Sequence, residues 1–242
     1  MIYHVLPGDA QVNEFKQTSL EGEMLVCREA LVEGDLSGDT LDEFFNNRAA
    51  FMNQTQDEDP SLYNANVASQ FRPLRDLVGS DEIDLWFEYE LFCSVNLWFC
   101  LNLVEDSGAA AYLVRPFHLS YQDRWNGFAN ADAETLRECF THRLRLNESE
   151  IKLGADLWRA FKRRDVETLT RLTSTQSAAY PYLDEVGRAA AQIDTLPTEI
   201  LAEIKSSGIN NFSEIFLEFR RRAGVFGFGD AQVKNIMARQ AD

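Results

Sequence analysis

Short apolar runs and segments of helical period alternate along the first half of this 242-residue chain. Residues 2–6 (IYHVL) form the first run, which stops at Pro7-Gly8-Asp9; Ala10, Val12, Phe15 and Lys16 then open a helical pattern ending near Gly22. A second run over 24–27 ends at Arg28-Glu29. Beyond a loop holding Gly34 and Gly38, Leu41, Phe44, Phe45, Arg48 and Phe51 repeat at helical spacing over 41–52, with Asp39 or Thr40 placed to cap them. Residues 54–60 are polar and acidic and read as an exposed loop before a helical stretch over 61–78, closed by Gly79-Ser80. A third strand is predicted over 83–87, running into a strongly apolar helix over 90–105. A fourth over 109–114 is ended by Arg115-Pro116.

Four strands separated by helices of about a dozen residues or more predict a parallel sheet, because parallel neighbours need crossovers of that size. Right-handed crossovers then favour an α/β fold with an open, mostly parallel, doubly wound, Rossmann-like sheet in the order 2-1-3-4. After Trp125-Asn126-Gly127 the pattern predicts no further strand of useful length. Asn147-Glu148-Ser149-Glu150 has capping-box form and starts a helix running to about Arg164; Asp165 caps a shorter one. Helices follow over 181–193, 197–207, 212–223 (capped by Asn211) and 231–240 (capped by Asp230). The predicted organisation is an α/β domain over 1–146 and a helical domain over 147–242, whose last three helices are compatible with helix-turn-helix character.

The segments HVLPGDA (4–10), CREALVEG (27–34), LWFEYELFCSVNLWF (85–99) and GFGDAQV (227–233) resemble the bacterial domain-of-unknown-function 1835 family, and the likeness spans nearly the whole chain. The resemblance implies one recurring bacterial architecture, with a strand ending in Gly-Asp, a later LW-x-E segment and a helical tail. It brings no established activity and assigns no catalytic role to any residue.

Charge narrows the partners. Residues 1–150 hold 27 acidic against 10 basic side chains, net −17, while residues 151–242 hold 12 against 13. A field of that sign repels phosphate backbones. The run Arg220-Arg221-Arg222 sits in a stretch, 199–242, with six acidic and six basic side chains, so nucleic acid is a disfavoured partner. Glu88, Glu90, Asn96 and Asn102 interrupt the longest apolar stretch, 86–104, which argues against a bilayer span. The first residues lack a basic flank and apolar core, so the expected location is the cytoplasm. The four cysteines, Cys27, Cys93, Cys100 and Cys139, are expected as reduced core thiols. With the scattered His4, His118 and His142 they form no zinc pattern.

The candidate chemistry follows from the topology. In open parallel sheets ligands bind beyond the carboxyl ends of the strands where the strand order reverses, here between strands 1 and 3. Asp9 ends strand 1 and Glu88 ends strand 3, and these two are the candidate catalytic carboxylates. Gly8, Arg28, Glu29, Glu90 and Arg115 are candidate ligand contacts, with His118 and Gln122 on the rim. Converging Asp9, Glu88 and Glu90 would suit chelation of ribose hydroxyls, a hard cation such as Mg²⁺, or acid/base and nucleophile work in glycosidic cleavage. The alternative for Asp9 is a helix N-cap. GxGxxG, Walker and GxSxG signatures are missing and Lys16 is the only lysine in the first 150 residues, which disfavours NAD and P-loop nucleotides. Two readings remain: a small-molecule site, ribose-containing or cation-dependent, with hydrolase or transferase chemistry open to it, and a non-catalytic regulatory or protein-interaction module docking a partner through its C-terminal helices.

Overall fold

In the computed structural model, which describes residues 1–56 and 59–240, five strands form one sheet in the order β2-β1-β3-β4-β5. β1 (Ile2–Leu6), β2 (Glu23–Val26), β3 (Glu82–Trp86) and β4 (Ala110–Val114) run parallel in the expected order. β5 (Leu144–Arg145) is a correction. It pairs antiparallel with β4, and its two residues are both exposed, so it leaves no apolar run to read.

A 3₁₀ turn (Asp9–Gln11) and α1 (Val12–Gln17) connect β1 to β2. Between β2 and β3 lie α2 (Leu41–Gln56), α3 (Pro60–Tyr63), a π turn (Asn64–Ala68) and α4 (Ser69–Arg75). Thr40 is the cap of α2, its hydroxyl accepting the Glu43 N–H at 3.2 Å while the Glu43 carboxylate accepts the Thr40 N–H at 3.0 Å. α2 continues into the segment expected as loop; residues 57 and 58 of that loop lie outside the described residues. α5 (Leu91–Val104) joins β3 to β4, and α6 (Ala133–Thr141), absent from the expected elements, follows β4 with Asp132 capping it through the Thr135 N–H at 2.8 Å.

Side chains alternate across the sheet, as the period of two requires. Val5, Ile83, Leu85, Ala111 and Leu113 enter the large core that holds residues of α2, α4 and α5. Leu6, Trp86 and Val114 face the opposite way, against Phe15 of α1 and Leu136 and Cys139 of α6.

α5 is buried on nearly every side, the arrangement expected of a helix apolar all round. α7 (Glu148–Lys162), opened by the expected Asn147/Glu150 capping box, packs on it so closely that a Cβ on Gly154 would stand 2.3 Å from Leu101 Cδ1. α8 (Val166–Thr173), α9 (Leu183–Ala191), α10 (Leu196–Ser206), α11 (Phe212–Ala223) and α12 (Asp230–Arg239) complete the chain. Gly229, not Asp230, stands at the N-cap of α12, and Asp230 instead accepts from Lys234 at 2.7 Å. The large core runs without a break from Val5 through Trp98 and Trp158 to Phe226 and Ile236, so the helices after residue 146 share it with the sheet. Among the described residues no helix is long and apolar enough to cross a membrane.

Candidate functional site at the carboxyl edge of the sheet

The turn between β3 and α5 is the chain Glu88-Tyr89-Glu90. Glu90 is the N-cap of α5, and its Oε1 accepts the Cys93 N–H at 2.9 Å. A helix N-terminus favours a carboxylate, but this one is only 4% exposed. Burial, with the nearby Glu88 charge, pushes Glu90 up to about 8. Its Oε2 has no hydrogen-bond partner.

Half-buried Glu88 accepts the Phe128 N–H at 2.6 Å through Oε1, and the Cys93 thiol points its Sγ at Oε2 from 3.9 Å. Burial raises the Glu88 carboxyl as well, and it holds the Cys93 thiol far above its ordinary value. One ligand atom each from Glu88, Glu90 and Cys93 lies within 4.8 Å of the other two. Two loops cover the pair of carboxylates. Gly127 and Gly227 both have positive φ, +59° and +67°, and a Cβ on either would collide with Glu88 or Glu90 respectively, at 2.0 and 2.2 Å. Glycine is required there for conformation and for close approach alike.

Arg115, at the end of β4, donates from Nη1 to the Glu88 carbonyl at 2.6 Å and from Nη2 to the Ala179 carbonyl at 3.5 Å, and it stacks 4.8 Å over the Tyr89 ring. Burial lowers its pKa, yet a guanidinium stays charged. Its Nε is buried without a partner.

The other expected contacts are placed differently. Asp9 does not join Glu88 and Glu90. Its exposed carboxylate takes a bidentate bond from Arg28, at 2.8 Å for both Nε to Oδ2 and Nη2 to Oδ1, and Arg28 also donates to the Asn66 carbonyl at 2.8 Å. Arg28 holds the Asp9 carboxyl below its ordinary value. Nor is Asp9 a cap, since the 3₁₀ turn it opens has no side-chain cap bond. Gly8 is extended, with open space where a Cβ would be. Glu29 points inward as part of the fold. Arg48, fully buried, donates to its Oε1 from Nε at 3.1 Å and to its Oε2 from Nη2 at 2.7 Å; the Tyr63 hydroxyl also donates to Glu29. Arg48 Nη1 then ties down the Glu33 carbonyl at 2.7 Å, and Asn96 of α5 donates to the Glu29 carbonyl at 2.8 Å. His118 is exposed on the loop after β4.

The convergence predicted at this edge therefore holds for Glu88 and Glu90, with Cys93 in place of Asp9. Cys93 is legible in the sequence only as a core thiol seven residues from Cys100; that it follows the Glu90 cap by one turn is the signal that places it beside the carboxylates. All four cysteines are free and buried.

A second buried polar group lies outside the expected site. His4 and Asp84, register partners on β1 and β3, are fully buried on the α1/α6 face. His4 Nε2 lies 3.0 Å from the Glu21 carbonyl, which only accepts, so Nε2 carries the proton. Nδ1 then accepts the Trp86 indole N–H at 3.4 Å. Asp84 Oδ2 lies 3.2 Å from that same Nδ1 but, buried, makes no hydrogen bond, while Oδ1 accepts from Arg143 at 2.8 Å. Burial drives Asp84 up to about 7, against the pull of Arg143, and lowers His4. A carboxylate and a histidine facing inward from adjacent apolar strands are the sequence signal for this group.

Compared with known proteins, the chain matches no family model, no curated protein and no solved structure.

Proposed function

We propose that the protein binds a small polar ligand at the carboxyl edge of its sheet, beyond the end of β3, with Glu88 and Glu90 as the receiving carboxylates. The observation that carries this reading is the pair of buried atoms left without partners there, Glu90 Oε2 and Arg115 Nε. Buried polar groups are nearly always satisfied, and a buried carboxylate oxygen or guanidinium N–H left open costs kilocalories unless something completes it. Two such groups, a carboxyl and a guanidinium, at the edge where this topology takes ligands are completed most simply by a ligand. The ribose-containing and cation-dependent classes both fit a carboxylate pair. The rival, a partner docked through the C-terminal helices, has less support, because Phe219, Ala223, Phe226, Val233 and Ile236 are spent in the chain's own core.

The test is a thermal-shift screen against nucleosides, sugars and divalent ions, run on the wild type and on Glu88→Gln. The variant keeps an acceptor for the Phe128 N–H and therefore folds. A ligand at 100 times its Kd adds about 2.7 kcal/mol. A shift seen in the wild type and lost in Glu88→Gln is the expected result; equal shifts in both proteins would place the ligand elsewhere.

A further inference from the structure

We infer that Glu88, Glu90 and Cys93 form a site for a divalent cation of borderline softness, of the Zn²⁺ or Co²⁺ kind, and not for Mg²⁺ or Ca²⁺. This deepens the ligand-binding reading above and rests on it for the location of the site.

The donor set comes first: two carboxylates and a thiol whose ligand atoms lie within 4.8 Å of one another. Three atoms within that spacing share a centre at most about 2.8 Å from each, so side-chain movement of roughly half an ångström to 0.8 Å brings them to the roughly 2.0–2.3 Å at which zinc takes oxygen and sulfur. The second observation is the unpartnered Oε2 of Glu90, on a residue only 4% exposed inside the group, a lone pair that nothing in the protein uses. The third is charge. With Cys93 as thiolate, the three ligands carry three negative charges and Arg115, bonded to the Glu88 carbonyl, carries one positive. A divalent cation brings the cluster to neutrality, as burial demands.

Sulfur decides the class of cation. Mg²⁺ and Ca²⁺ take oxygen ligands, whereas thiolate selects zinc and its neighbours. Binding replaces the S–H bond of Cys93 with a metal–sulfur bond and passes the proton to solvent. Three protein ligands leave the fourth tetrahedral position open, the arrangement of sites that bind or activate a further ligand.

The experiment titrates Co²⁺ into the full-length, reduced protein and follows absorbance. The expected result is a near-ultraviolet sulfur-to-cobalt charge-transfer band that is abolished in Cys93→Ser, weakened at least tenfold in affinity in Glu90→Gln and unchanged in Cys100→Ser. Zn²⁺ should displace the cobalt, and a hundredfold excess of Mg²⁺ should not. No band up to millimolar Co²⁺, a band that survives in Cys93→Ser, or displacement by Mg²⁺ would each overturn the inference; the first and last need only the wild type and so do not depend on a variant folding. The organic ligands of the screen are then repeated with chelator present. Shifts that persist there while cobalt stays silent overturn the cation site and leave the ligand-binding reading standing. A cobalt band with no organic shift supports the cation site and removes the ribose-containing part of that reading.

Discussion

Replacing Asp84 with asparagine should remove one contribution to the fall in stability that the wild type shows as pH rises through neutrality, beside that of Glu90. Burial holds the Asp84 carboxyl at about 7, against 3.8 when unfolded, while Arg143 pulls it down and Glu82 pushes it up. Between those values the folded chain binds the proton that the unfolded chain has lost, so stability falls as pH rises, and the full loss is in place only above pH 7. The rise from 3.8 to about 7 corresponds to about 4 kcal/mol in all, at about 1.4 kcal/mol for each pH unit between the two values. The protein's isoelectric point, about 4.6, makes the acid end impractical. From pH 5.5 to 8.5 the loss is about 2 kcal/mol. Asparagine is the right probe because it has nearly the shape of aspartate, carries no titrating proton, and its Oδ1 can accept from Arg143, which keeps Glu82 as an ionic partner at 2.9 Å. The assay is urea denaturation at half-unit pH steps on both proteins. The gap between the Asn variant and the wild type should widen by about 2 kcal/mol across that range in favour of the variant. Parallel profiles would mean that Asp84 is ionised throughout and that burial does not hold its proton on.

The clamp under the loop after β2 should be costly to break on one side only: Arg48→Ala leaves Glu29 buried and unpaired and should lose about 3–5 kcal/mol by urea denaturation, while Glu29→Leu with Arg48→Met should lose much less. A single variant no worse than the double would show that the pair is not desolvated. Gly227→Ala should cost at least about 1–2 kcal/mol from the left-handed backbone alone, and by displacing Glu90 it should also weaken cobalt binding, measured by the same absorbance titration. Asp9→Asn should stay within about 0.5 kcal/mol of wild type, because the Asp9–Arg28 pair is largely exposed. A loss above about 1 kcal/mol would give Asp9 a structural role that its geometry does not show.

Strand order is legible because β1 to β4 are short, largely apolar segments of four or five residues separated by crossover-length segments, and topology rules turn that spacing into 2-1-3-4. β5 escapes because two exposed residues have no period. α6 is legible in part, since Leu136, Cys139 and Phe140 recur at helical spacing behind the Asp132 cap, but that signal is missing from the expected elements. At the site, the two residues of the Glu88–Glu90 turn are legible as strand-end carboxylates. The direction of Glu29 is not, since whether a loop carboxylate turns inward depends on Arg48 and Tyr63, 19 and 34 positions away. The divergence of Asp9 from Glu88 has the same origin: Arg28 from the neighbouring strand end claims it first. Partners distant in sequence decide these orientations, and spacing alone carries no record of them.

α5 joins these features mechanically. Its first residues carry the Glu90 cap and Cys93, its middle holds the loop of Glu29 through Asn96, and Leu101 meets α7 at Gly154. A helix buried on all sides cannot shift without disturbing the core, so the Glu90 and Cys93 positions are rigid. Glu88 and the covering loops are the parts able to respond. Gly127 lies against Glu88, and the Phe128 N–H occupies one of its oxygens. A cation drawing Glu88 inward would stretch that bond, at a cost on the order of 1 kcal/mol, and would loosen the segment above it. Occupancy of the proposed site would thereby be coupled to the 125–128 loop through one carboxylate, whereas Gly227 lies against Glu90 with no hydrogen bond between them to stretch.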